Sequence, residues 1–73
     1  MPHVEIKMFK GRDDELKKKV AEAVMDTMQR ELNCDRSHLS VAIEDYKPEE
    51  WNEKVYDNVN QSNIYAGELF KNK

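Results

Sequence analysis

Between residues 3 and 9 the chain alternates. Val4, Ile6 and Met8 are apolar, and His3, Glu5 and Lys7 are polar. A period of two is the mark of a strand with one covered face. Gly11 breaks the pattern. Asp13 then suits a helix N-cap, and Asp14 and Glu15 put negative charge in the first helical turn. From Leu16 the apolar positions are Leu16, Val20, Ala23, Val24, Thr27, Met28 and Leu32. Steps of three and four make one helical stripe. Lys17, Lys18, Lys19, Glu22, Asp26, Gln29 and Arg30 cover the wet faces. The helix should end near Asn33, which tolerates a left-handed cap. After a short turn the period returns to two, with Leu39, Val41 and Ile43 against Ser40, Ala42 and Glu44. Strand, long helix, strand predicts a βαβ unit with parallel strands.

The remainder is less regular. Pro48 fits the first position of a helix, Glu49 and Glu50 its first turn, and Trp51, Val55 and Val59 follow at four-residue steps. One or more helical turns are expected over about residues 48–58, then a polar loop from Asn58 to Asn63. Ile64 to Phe70, around Gly67, reads as a short strand or hairpin arm. The expected fold is thus α/β, in one domain over residues 1–73.

Composition changes this picture in one respect. The chain has 73 residues, 38% hydrophobic and 37% charged, with a formal charge of −3. A unit this small buries only about 60% of its extended surface, and one helix cannot cover both strands, so a homo-oligomer is expected. Disulfides are excluded, because Cys34 is the only cysteine. Cys34, His3 and His38 are too few for a structural zinc site, so no metal is expected. No basic patch interleaved with aromatics points to nucleic acid, and no apolar run spans a membrane. The N-terminus lacks a signal peptide's apolar core. The expectation is a cytoplasmic protein.

Several residues have a chemical and a structural reading. Pro2 is the lead-in to a strand, or, once Met1 is removed, a free secondary amine able to act as base or nucleophile. With Met1 attached, the Pro2 nitrogen is an amide without basicity. Arg12 is a solvated loop arginine or a bidentate carboxylate clamp. Trp51 is a packing anchor or the apolar wall of a pocket that desolvates an amine. Cys34 and His38 invite a nucleophile reading, but they fall in a turn with no orienting third group. His3 lies on the polar strand face and reads as solvated.

Taken in order, these segments resemble the 4-oxalocrotonate tautomerase family over nearly the whole chain. Met1-Pro2-His3-Val4-Glu5-Ile6-Lys7 is similar to its proline-led first strand. Gly11-Arg12-Asp13-Asp14-Glu15-Leu16-Lys17 is similar to its strand-to-helix turn, at the expected distance from Pro2. Ser40-Val41-Ala42-Ile43-Glu44 and Ile64-Tyr65-Ala66-Gly67-Glu68-Leu69 resemble its second strand and C-terminal hairpin. The resemblance implies a cofactor-independent keto–enol tautomerase acting on 2-oxo acids or their enols. Pro2 would be the general acid/base, Arg12 would hold the carboxylate and Trp51 would keep the site apolar. The best-known members have an arginine where Ser40 stands and a phenylalanine at Trp51, and this chain carries about ten more residues between Trp51 and Ile64. The start Pro2-His3, Ser40 and Pro48-Glu49-Glu50-Trp51 look more like the phenylenolpyruvate subgroup. The resemblance further implies a dimer or a hexamer. The other reading is a non-catalytic interaction or scaffold protein on the same fold.

Overall fold

The computed structural model describes residues 1–73. Strand β1 runs His3–Phe9, helix α1 Asp14–Leu32, strand β2 Ser40–Tyr46 and the short helix α2 Trp51–Lys54. Single 3₁₀ turns occupy Arg36–His38, Pro48–Glu50, Tyr56–Asn58 and Gln61–Asn63. β1 and β2 pair in parallel, from His3 opposite Ser40 to Phe9 opposite Tyr46. The expected βαβ unit is therefore the observed one.

Both ends of α1 follow from the sequence. The Asp13 carboxylate accepts from the Leu16 N–H at 2.9 Å, satisfying one of the orphan donors of the first turn. Asn33 closes the helix in the left-handed region, at φ 52° and ψ 49°. Pro48 opens the next turn as expected, and the Lys47 N–H donates to Glu50 at 2.9 Å.

Four details differ from the sequence reading. Leu39 closes the Arg36–His38 turn instead of belonging to β2, and β2 continues to Tyr46 because Asp45 and Tyr46 find partners in Met8 and Phe9. Lys17 is not on a wet face. Its ammonium donates to Asp45 at 2.8 Å beneath the sheet, and this bond raises the Lys17 pKa above the ordinary lysine value. The polar loop over residues 58–63 contains a 3₁₀ turn, seeded by the Asn60 side chain accepting from the Ser62 N–H. Ile64–Phe70 forms no strand, since within one chain it meets no sheet edge. It is an arm, turned at Gly67 (φ 74°), where a side chain would be strained.

The apolar stripe of α1 is only half covered. No residue of α1 is fully buried, and Leu16 and Leu32 remain 44% and 54% exposed. The buried residues are Leu39, Trp51 and Val55. The chain exposes 5849 Å², whereas a folded monomer of this mass exposes about 4,700 Å². Its extents of 39 × 31 × 17 Å describe a flat body. One oxygen of Asp45 is buried with no donor, an uncommon and costly state within a finished core. No helix is long and apolar enough to cross a membrane.

The Asp13 cap gives a direct check. Asp13→Ala should lower stability by about 1 kcal/mol, measured by urea unfolding at fixed protein concentration, with the far-ultraviolet spectrum unchanged at low temperature. An unchanged midpoint would show that the cap adds nothing in this context.

Candidate active site

Parallel pairing sorts the candidate residues into two groups. Pro2, His3 and Ser40 lie where both strands begin, and the Ser40 N–H approaches the Pro2 carbonyl at 3.4 Å. Arg12 and Trp51 lie where both strands finish. Arg12 follows Gly11 just beyond β1, and the Trp51 ring meets Phe9, the last residue of β1, edge-on at 5.1 Å between centroids. A strand of seven residues spans about 23 Å at 3.3 Å per residue. Within one chain, then, Pro2 does not meet Arg12 or Trp51. None of the three surface concavities is lined by any of these residues.

At the starting end, the His3 ring bonds to Ser40 through Nδ1 at 2.6 Å, and its Nε2 lies 3.5 Å from the Glu5 carboxylate. Glu5 in turn stands 4.0 Å from Lys7. Lys7 donates to Glu44 at 3.1 Å and to the Tyr46 hydroxyl at 3.3 Å. These bonds raise the Lys7 pKa, Glu44 contributing most, and hold the Glu44 carboxyl below the usual range. Arg36 supplies no free cation there. It is engaged by both Glu22 and Asp26 on α1.

At the finishing end an aromatic cluster forms. Trp51 packs edge-on against Phe9 and Tyr46, and Phe70 from the arm packs edge-on against Phe9 at 5.8 Å. The Trp51 indole N–H donates to the Phe70 carbonyl at 2.7 Å, which pins its orientation. Asn52 behaves like a strand edge toward the arm. Its amide donates to the Asn72 carbonyl and its carbonyl accepts from the Asn72 N–H at 2.8 Å. Asn72 also donates to the Pro48 carbonyl at 2.9 Å. Arg12 is exposed, has no carboxylate partner and reaches only the Phe9 carbonyl, at 3.4 Å. Its guanidinium is free to take an anion.

The sequence reading singled out Pro2, Arg12, Ser40 and Trp51, but it missed Phe9, Tyr46 and Phe70 as the remainder of the aromatic wall and Asn52 as the arm's anchor. The first two meet because the register of the two strands sets Phe9 beside Tyr46, which the sequence pattern alone did not specify. Nothing local marked Asn52. Cys34 and His38 make no hydrogen bond to each other and no third group orients them. Cys34 is half-buried on the rim of an open, mostly polar hollow of about 570 Å³ between Asp26 and Asp35.

Comparison with known proteins agrees with this architecture. A family model described as tautomerase enzyme matches residues 2–65. A probable tautomerase of Xylella fastidiosa is 39% identical over 56 residues, 77% of this chain and 68% of that protein. Tautomerase PptA of Pectobacterium atrosepticum is 36% identical over 58 residues, 78% of this chain and 76% of its own length. Among solved structures, TomN, a 4-oxalocrotonate tautomerase homologue of the tomaymycin biosynthetic pathway, shares the fold with a TM-score of 0.66. Its sequence identity is 22%, over 68% of this chain and 77% of TomN. The βαβ unit with its second helix is thus a tautomerase fold. The chain belongs to the tautomerase family and is an enzyme of the isomerase class.

The arm's anchorage yields a prediction. Asn52→Ala removes two hydrogen bonds, worth about 1–3 kcal/mol together, from a segment that Phe70 and Trp51 also hold. Amide exchange in residues 69–73 should accelerate and tryptophan emission should shift to the red, while α1 keeps its protection. Unaltered exchange in the arm would show that Trp51 alone anchors it.

Proposed function

We propose that the protein is a cofactor-independent keto–enol tautomerase of 2-oxo acids and their enols, phenylenolpyruvate-like, in which the Pro2 amine, freed by removal of Met1, is the general acid/base. Pro2 takes the proton from the enol hydroxyl and returns it to C3, so that a C2 ketone replaces the C2=C3 double bond. Desolvation beside an apolar wall and neighbouring cations keep such an amine neutral near pH 7. Arg12 binds the carboxylate through its guanidinium fork, and Trp51 with Phe9 and Phe70 supplies the wall.

The observation that carries this reading is the separation of Pro2 from Arg12 and Trp51 along β1. One chain holds the base at one end and the anion clamp at the other. Two copies packed antiparallel about a twofold axis join the base of each to the clamp of its partner. The large exposed area and the half-covered α1 stripe supply the surface for that contact, in a dimer or as the repeating pair of a hexamer.

Removal of Met1 is checked by mass, and activity by following phenylenolpyruvate ketonisation in the ultraviolet. Pro2→Ala should cost at least about 100-fold in kcat/KM, and Arg12→Ala should raise KM by about 10- to 100-fold without altering the fold. Mixing the two variants under conditions of subunit exchange should restore about a quarter of wild-type activity at substrate concentrations well below either KM, because half the pairs then hold one intact site of two. No recovery on mixing, with exchange demonstrated, would refute a shared site.

Substrate choice follows from Ser40 and Arg36. The Ser40 hydroxyl is neutral and engaged by His3, and Arg36 is held by two carboxylates. A second substrate carboxylate would sit unpaired there, at a desolvation cost. Phenylenolpyruvate should therefore surpass 2-hydroxymuconate in kcat/KM by at least about tenfold, or 1.4 kcal/mol of differential transition-state binding. Equal turnover would identify Lys47 or Lys10, neither of which is ion-paired, as the second carboxylate's partner.

A further inference from the structure

His3 is better prepared than a solvated strand residue needs to be. Its side chain is 49% exposed, yet the ring is fixed on two sides. Nδ1 bonds to the Ser40 Oγ at 2.6 Å across the sheet. The Nε2 atom lies 3.5 Å from Glu5, beyond the range of about 2.7–3.2 Å for an N–H···O bond. In the tautomer that the Glu5 carboxylate favours, the proton is on Nε2, directed by Glu5 but not satisfied by it, and Nδ1 accepts from the Ser40 hydroxyl. Elsewhere on this face Lys7 donates to Glu44 and Tyr46, the Tyr46 hydroxyl donates to Glu44, and Glu5 stands 4.0 Å from Lys7. The unsatisfied Nε2 stands on the residue next to Pro2.

We propose that His3 Nε2–H is a substrate-binding donor to the 2-oxygen of the 2-oxo acid, aimed by Ser40 and Glu5. The inference rests on Pro2 being the proton carrier. As Pro2 removes the enol proton, negative charge grows on the 2-oxygen until C3 is protonated, and a fixed N–H directed there stabilises that charge. Charge decides between the two oxygen groups of the substrate. The full charge of the carboxylate goes to Arg12, a cation with no acidic neighbour in contact, which leaves the 2-oxygen to the neutral donor. His3 and Arg12 thus hold adjacent groups of the substrate, the C2 oxygen and the C1 carboxylate. Ser40 acts as a positioning residue, through the imidazole.

The two roles separate in kinetics, on the assembled protein freed of Met1. His3→Ala should lower kcat for phenylenolpyruvate by about 10- to 100-fold with KM changed less than about threefold, opposite to the KM effect of Arg12→Ala. His3→Gln, which keeps an N–H at comparable reach, should recover at least half of that loss on a logarithmic scale. Ser40→Ala should fall between them. A kcat for His3→Ala within twofold of wild type, a loss confined to KM, or no recovery in His3→Gln would overturn the proposal. A second measurement needs no turnover. Titration with phenylpyruvate should move the ring nitrogen resonances of His3 in wild type, and Pro2→Ala should preserve that shift. An unmoved His3 ring overturns the inference whatever the activity. A moved ring in a protein whose turnover is indifferent to Pro2→Ala supports the contact and refutes Pro2 as the base.

Discussion

Two parallel strands of equal length begin together and finish together, and that constraint governs this molecule. Seven residues of pairing in simple register leave no freedom in which side chains meet. Pro2, His3 and Ser40 share the starting end because both strands start there. Phe9, Tyr46 and Trp51 share the finishing end, with Arg12 just past it. In an antiparallel pair the finish of β2, with Trp51 beyond it, would instead lie beside Pro2, while Arg12 would still stand at the far end of β1. The crossover helix that parallel pairing demands takes up 19 of the 73 residues, so little chain remains to build a second layer.

That economy explains the state of the core. The α1 stripe faces the Val4, Ile6, Val41 and Ile43 side of the sheet, but the short elements after β2 cover only the finishing end. Asp45 stands on the same face, opposite Met8, and is reconciled to it by Lys17 through a charge-assisted bond. A half-exposed stripe and excess surface belong to a face left open in one chain. The proposed twofold pairing answers the thermodynamic and the chemical deficiency with one contact.

The βαβ unit was legible because each of its signals is local. Alternation over residues 3–9, Asp13 before an acidic turn, Asn33 after the last stripe residue and Pro48 ahead of two glutamates are short-range patterns with physical causes. The elements misread were those decided by partners distant in sequence. Lys17 was assigned to water because its neighbours are lysines; Asp45, 28 residues away, places it under the sheet. The Ile64–Phe70 segment has strand character but meets no edge within its own chain, so Trp51 and Asn52 secure it through side chains instead. Of the candidate site, Pro2, Arg12 and Trp51 were singled out through the family resemblance, and the alternation over residues 3–9 already set Pro2 and Arg12 at opposite ends of one strand. That Trp51 joins the Arg12 end was not legible, because it depends on packing against Phe9 and Tyr46.

Charge is distributed to match. Of twelve lysines and arginines, Lys7, Lys17, Arg30, Arg36 and Lys54 are held in ion pairs. Lys71 lies over the Tyr56 ring. Lys18 and Lys19 are on the outer side of α1, and Lys73 is at the C-terminal end. Lys10, Arg12 and Lys47 remain, all where the strands finish, since the Lys10 N–H bonds to the carbonyl of Tyr46, the residue before Lys47. An acidic chain of net charge −3 thus keeps three unpaired cations beside its aromatic wall. Exposed charges more than about 10 Å apart are screened at physiological salt, so local sign and not net charge steers a small anion. Under the proposed function, a 2-oxo acid with an aromatic tail meets at that one end a cation for its carboxylate and an apolar surface for its ring, and the proposed base, Pro2, comes to it from the start of another copy's strand.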